Sequence, residues 1–408
     1  MYLCTAYLAR FADEGMPIAL ALLAIHRTGS AVEGAYLLTA WMVPHVLTAP
    51  LTGSLAARVR YPRLFHAGAL GVFAAAIVVL ASVVGRAPFA VALVVALAGG
   101  SCGPIVTGGL SGLLSGLLPR GPARQRGYAL DAATFNAAAV TGAAAVTLVA
   151  EVATPVAAAV LLGAGAAVAA LLVAALPYPP TTARRAGRPS LAADLWSGPA
   201  AVWRIAELRA ITTATVIAFG GIGGLALTAV LLVNDPAATA GGAGNDFAGG
   251  YLMTAFALGG LAGSLALARW QPFATGQRLV VWTLLGTGGA LAASALIPSF
   301  PVRVALFALA GLCDGPLLGA TLRIRADHAP AAVLPQVFTI GAGLKMSAAA
   351  CGAALTGAAA GLGAPYLLLA IACLQFVAAL LYVLMRGRGD RSSETTAGSG
   401  HPGGHSRS

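Results

Sequence analysis

Five charged side chains stand in stretches that are otherwise apolar. The segment Ala308 to Leu322, ALAGLCDGPLLGATL, holds Asp314 directly before Gly315-Pro316. The N-terminal segment holds Arg10, Asp13 and Glu14, and a further apolar stretch holds Lys345. Helical spacing puts Arg10, Asp13 and Glu14 on neighbouring faces, so Arg10 can pair with either acid. The acid left over, in a low dielectric, can carry a proton. Pro316 removes a backbone donor and loosens a helix at that level. Freed carbonyls beside a carboxylate suit a proton, a cation or an amine. Each residue also has a plainer reading. Asp314 can be a protonated carboxyl bonded to a neighbouring helix, Lys345 can snorkel to the nearer surface, and the Arg10 cluster can lie at an interface. Asp131 reads as a structural partner of the arginines near Arg126, and His45 as a neutral core group or a ligand.

The elements that position these residues follow from composition. The chain has 408 residues, 59% hydrophobic and 9% charged, where a soluble chain carries about 25% charged residues. Mean hydropathy is +0.86. Such a chain cannot cover its surface with polar groups, so lipid must be the solvent for most of it. A crossing helix needs roughly 20 apolar residues. Twelve segments qualify, near 3–26, 32–56, 64–85, 88–118, 128–152, 154–176, 210–233, 247–268, 278–297, 302–322, 337–361 and 364–385. Asp314 falls about twelve residues into the tenth, roughly 18 Å deep at 1.5 Å per residue, near the midplane. A charge there costs about 2.5–3.5 kcal/mol on insertion scales, which marks it as a functional candidate.

Basic residues set the orientation. With both termini on the cytoplasmic side, nineteen of the 24 Lys+Arg face inward, three face outward (Arg27, Arg86 and Arg303), and Arg10 and Lys345 lie within the membrane. The net charge of +11 is thereby accounted for without a nucleic-acid partner. The location expected is the cell (plasma or inner) membrane, multi-pass. No cleavable signal peptide precedes the first segment. The five cysteines all fall in apolar segments and show no metal-ligand spacing, so neither metal nor cofactor is expected.

The chain repeats itself. ALAGLCDGPLLGATL aligns without a gap onto Ala96 to Leu110, ALAGGSCGPIVTGGL, with seven of fifteen positions identical and Cys102 standing where Asp314 does. AYLLTAW at Ala35 to Trp41 matches GYLMTAF at Gly250 to Phe256, and each is followed by GSLA. A six-helix unit therefore occurs twice in one orientation. The expected organisation is a six-helix bundle over 1–176, a cytoplasmic linker over 177–209, a second bundle over 210–385, and a disordered cytoplasmic tail over 386–408. Within the linker, Leu191, Leu195, Trp196, Val202, Trp203 and Ile205 among charges predict an interfacial helix, broken at Gly198-Pro199.

Twelve helices in two parallel six-helix repeats with a long central loop resemble the major facilitator superfamily of secondary transporters, over about residues 1–385. The local mark is GSLAARVRYPR, Gly53 to Arg63, which is similar to the family's G-x-x-x-D-R-x-G-R-R loop. Gly53 and Arg58 fit; Ala57 and Arg60 stand where the family has aspartate and glycine. Helix 4 carries no arginine, and helix 5 lacks the Gly-Pro signature of the family's drug antiporters. The Gly-Pro pairs are Gly103-Pro104 and Gly315-Pro316, the expected hinges. The resemblance implies an all-α membrane fold in two pseudo-symmetric bundles, with helices 1, 4, 7 and 10 lining a central cavity. It implies a monomeric secondary transporter of a small organic solute, with protons as coupling ion. Proton-driven efflux is the leading expectation and uptake the alternative. Asp314, Asp13, Glu14, Arg10 and Lys345 are the expected coupling or substrate residues, and Gly53 and Arg58 the expected gating loop. No HExxH, GxSxG or Walker motif occurs, which argues against an enzyme and against ATP hydrolysis. A non-transporting receptor is the other remote reading.

Overall fold

The protein is described by a computed structural model covering residues 1–178, 191–234, 248–270 and 276–397. Every regular element among the described residues is helical. Helix 1 is Tyr2–Thr28. Helix 2 is three pieces, Ala31–Met42, Pro44–Leu47 and Ala49–Arg58, interrupted where Pro44 and Pro50 withdraw backbone donors. Helix 3 is Pro62–Val83. Helix 4 runs Phe89–Gly100, a π-helical turn Ile105–Gly109, and Leu110–Leu117. Helices 5 and 6 are Pro122–Val152 and Pro155–Ala174. Helix 7 is Ala206–Ile222 and Leu225–Asn234, helix 8 is Ala248–Trp270, and helix 9 is Gly276–Leu296. Helices 10, 11 and 12 are Phe300–His328, Leu334–Ala358 and Ala364–Ala397.

Ten of these are long and apolar enough to cross a membrane. The remaining two have visible reasons to fall short of that criterion. Helix 1 carries Arg10, Asp13 and Glu14, and helix 2 is broken into short pieces. Boundaries are set by local chemistry. Ser30 caps helix 2 by accepting from the Glu33 N–H at 3.2 Å, and Thr154 caps helix 6 from Ala157 at 3.0 Å. Gly29, with φ 70°, ends helix 1 in the left-handed conformation that glycine adopts without penalty.

The two halves repeat their helix pairings. In the first half, helix 1 packs on 5 and 6, helix 3 on 4 and 6, and helix 2 on 4. In the second half, helix 7 packs on 11 and 12, helix 9 on 10 and 12, and helix 8 on 10. These are the same pairs shifted by six. Small residues permit the closest crossing. A Cβ at Gly259 or Gly263 of helix 8, or at Gly311 or Gly315 of helix 10, would overlap the backbone of the facing helix. Two small-xxx-small ridges thus interlock, where lipid supplies no hydrophobic drive for association.

Across the halves, helix 11 meets helices 2 and 4 and helix 5 meets helices 8 and 10, again a symmetric set. The contacts concentrate at the end bearing the N terminus and the arginine-rich turns. There Leu114, Tyr128, Leu322, Ala326 and Phe338 form one buried cluster, with Tyr128 stacked on Phe338 at 6.0 Å. Thr339 donates to the Ala49 carbonyl at 2.8 Å, and Asn136 to Ser264 at 3.0 Å, both between halves. That end is closed.

Two local expectations are corrected. The linker helix, Leu191–Arg204, continues through Gly198-Pro199 instead of breaking there. A Cβ at Gly198 would overlap Gln336, and Ser197 donates to Gln336 Oε1 at 3.1 Å, so packing on helix 11 holds the turn that proline weakens. The break comes at Ile205, in extended conformation. Residues 179–190 of the linker lie outside the described residues. The tail expected to be disordered from 386 is helical to Ala397, because extending a formed helix costs far less than nucleating one. Residues 398–408 lie outside the described residues.

Candidate functional site

Arg10 does not pair with the acids beside it in sequence. It is 1% exposed and bridges Asp131 of helix 5, Nη1 to Oδ1 at 2.8 Å and Nη2 to Oδ2 at 3.2 Å. Asp131 also accepts from Tyr2 at 2.7 Å and from Ser111 at 2.6 Å, and Arg10 donates further to Thr134 and Ser111. The pair is buried and richly bonded, the condition under which a buried ion pair survives. It ties helices 1, 4 and 5 of the first half together. The expected partnership of Asp131 with the arginines near Arg126 is replaced by this one, because helix 5 faces helix 1 at that level.

Asp13 and Glu14 are thereby left without an arginine. Asp13 faces the ring of His45, Nε2 to Oδ1 at 3.9 Å, too long for a hydrogen bond. His45 Nδ1 lies 3.1 Å from the Trp41 carbonyl, an acceptor only, so Nδ1 donates there and Nε2 is the ring nitrogen that faces Asp13. Gly103 makes room for this ring: a Cβ there would overlap it. Of the two Gly-Pro pairs, only the first lies at a break, where helix 4 turns π-helical after Pro104. Helix 10 runs unbroken through Gly315-Pro316, and Gly315 serves the crossing with helix 8.

Glu14 lines a small cavity between the halves with Thr107, Phe135, Arg325 and Lys345. The Lys345 ammonium lies over two rings, 4.5 Å from Phe219 and 5.3 Å from Phe135. Glu14 from the first half and Asp314 from the second both act on it electrostatically. Neither comes within 4 Å to form an ion pair among the described residues. Asp314 Oδ1 is buried without a hydrogen-bond partner. Phe135 also carries Arg10 at 3.5 Å from its centroid, so one ring separates the structural ion pair from the lysine. Glu14 and Lys345 thus line one cavity, Asp314 acts on the lysine from helix 10, Asp13 is set against His45, and Arg10 is removed to a supporting network.

The expected gating residues lie at the closed end. Gly53 is inside helix 2, and a Cβ there would overlap Thr339 and crowd Gln336 of helix 11. Arg58 is the last residue of that helix, at the closed end. Sequence reasoning missed Phe135 as a spacer, and counted Arg325 only as an inner basic residue. Helix 10 extends to His328, which carries Arg325 into the core. A signal existed: Arg325 follows Asp314 by eleven residues, about three helical turns, so both lie on one face.

The sequence matches no established family profile and no curated protein. Solved structures do match. The human organic anion transporter MFSD10 (TETRAN) superposes with a TM-score of 0.74 at 18% identity, over 93% of this chain and 97% of that one. The E. coli fucose:proton symporter FucP gives 0.70 at 13% identity, over 94% and 97%. A bacterial homologue of the iron transporter ferroportin, in an outward-facing state, gives 0.67 at 14%, over 94% and 98%. The fold is that of the major facilitator transporters. With it the chain is a multi-pass helical membrane protein of two pseudo-symmetric six-helix bundles. The small cavity takes Glu14 from helix 1, Thr107 from helix 4 and Arg325 from helix 10. Helices 5 and 11 add Phe135 and Lys345. At these identities the likeness is one of fold, and the three neighbours, by name, share no cargo.

Proposed function

We propose that this chain is a secondary active transporter that moves a small organic solute by alternating access, coupled to protons. The observation that carries this reading is the cluster of Glu14, Lys345 and Asp314. It lies between the halves, each half supplies an acid, and no acid is locked in an ion pair. A fixed structural network would satisfy its charges, as Arg10 and Asp131 do. A group that must load and release a proton during each cycle cannot be so satisfied. The arginine bias supports placing the closed end in the cytoplasm of a cell membrane.

Direction depends on the sign of the coupling. Export by exchange needs a solute that competes with the proton for an acid, and the unpartnered Asp314 Oδ1 favours it. Uptake with the proton needs a solute whose binding the proton assists, and Lys345, on which two acids act, favours that.

The test uses the full chain in proteoliposomes holding a pH-sensitive dye, with a panel of small carboxylates, amines and sugars. At least one class is expected to move protons with the wild type and not with Glu14→Gln or Asp314→Asn. Acidification of the lumen on external addition reads co-transport, and alkalinisation reads exchange. Solute flux with no proton movement would overturn the coupling, and no flux from any class would overturn transport.

A further inference from the structure

Arg325 is 4% exposed, yet it forms no ion pair and its Nε has no hydrogen-bond partner among the described residues. Its guanidinium lies flat on helix 11 at Gly341, where a Cβ would overlap it. Gly341 precedes Lys345 by four residues, one helical turn, so the arginine head rests about 6 Å along helix 11 from the base of the lysine. Both side chains line the same cavity. On helix 10, Leu318 and Leu322 continue the face that runs from Asp314 to Arg325, and they wall the cavity between them.

A buried arginine and a half-buried lysine without a salt-bridged acid need an account. The ring contacts of Lys345 return only part of what it costs to hold a cation away from water. Leaving a buried charge unpaired costs several kcal/mol. The rings do not cover that cost, and Arg325 has no ring contact of this kind among the described residues. The other charges around the cavity are Glu14, Asp314, Asp13 beside His45, and the closed Arg10–Asp131 pair. Glu14 and Asp314 act on Lys345 from beyond ion-pair distance, and Arg325 has neither. A planar guanidinium with a flat backbone seat presents its donors in the fork that matches a carboxylate or phosphate.

We propose that Arg325 and Lys345 form the binding site for an anionic group of the transported solute, a carboxylate or a phosphate, at the floor of the cavity. This rests on the transporter reading and adds to it the chemical class of the cargo. It also fixes the sign of coupling. An anion arriving at Lys345 takes over the role of Glu14 or Asp314, and a proton on the displaced acid keeps the cavity's charge unchanged. Anion and proton then travel together.

Binding tests this without requiring transport. Thermal unfolding of the purified full chain would be followed with benzoate, succinate or inorganic phosphate. Benzamide, succinamide and benzylammonium, at matched ionic strength, serve as neutral and cationic controls. At least one of the three anions should raise Tm by about 2 °C while all the controls do not. Arg325→Gln and Lys345→Gln should each abolish the shift, and Arg325→Lys should retain part of it, which separates lost binding from lost folding. A shift with benzylammonium alone, a shift with no anion, or an anion shift unchanged in Arg325→Gln overturns the proposal. Such a failure, with proton movement intact in the liposome assay, would leave the proton-coupled reading standing.

Discussion

At the scale of the residue, the ionisable groups divide by how well their charges are met. Asp131 accepts from Arg10, Tyr2 and Ser111, and both members of the ion pair are buried. Asp131→Asn therefore strands a buried guanidinium, and should cost about 3–5 kcal/mol, seen as a large fall in Tm and in membrane yield. Glu14 and Asp314 have no such partners, and Glu14→Gln and Asp314→Asn should leave Tm unchanged or higher. A fall in Tm for these two matching that of Asp131→Asn would show that the division is false. Asparagine at 314 keeps shape and hydrogen-bonding capacity but cannot ionise. If Asp314 carries the proton, Asp314→Asn should abolish accumulation driven by a pH gradient yet retain exchange of solute between equal pools. Loss of both activities would instead make Asp314 a solute ligand, and normal gradient-driven transport would make it structural.

At the scale of the element, glycine does different work at positions that the sequence makes look alike. Gly315 lies where helix 10 crosses helix 8, and a Cβ there would overlap the Gly260 carbonyl, which cannot yield as a flexible side chain can. Gly315→Ala should cost about 1–3 kcal/mol by overpacking. Gly289, within helix 9, has nothing within 4 Å of a Cβ. Gly289→Ala should be neutral or raise stability by about 0.5–1 kcal/mol, since alanine is the better helix former. Thermal unfolding of both variants checks the pair, and equal effects would contradict the crossing. The Gly-Pro motif was legible as a repeat, but not its use. Gly103 seats the His45 ring and Gly315 seats a helix, a difference that depends on what the partner helix presents.

At the scale of the whole molecule, the halves are pinned together at one end through the crossing of helices 2 and 11. Gly53 allows that crossing, since a larger side chain would overlap Thr339. Gly53→Val should wedge the closed end apart and shift the population toward the opposite state. Spin labels at Arg60 and His328, one on each half, should report a longer distance in this variant than in the parent. An unchanged distribution would rule out Gly53 as a determinant of closure. Orientation is checked separately: a reporter fused after Arg126 should read cytoplasmic, and an external signal there would invert the proposed topology.

Composition and spacing were enough to determine that the chain lives in lipid, that it has two related six-helix halves, and that Asp13, Glu14, Asp314 and Lys345 are out of place in apolar helices. Those features are local: hydropathy over some twenty residues, a repeat at an offset of 212, and a charge among alanines. Which charges meet was not local. Arg10 lies three residues from Asp13 in sequence, yet it takes Asp131, because buried ion pairs form where helix packing brings groups together, whatever their separation along the chain. Arg325 looked like one more basic residue near a helix end until helix 10 proved to run to His328 and fold it against Gly341. Only the tertiary structure could decide which charges were already satisfied and which were left facing the cavity, since desolvation and pairing are properties of the assembled helices.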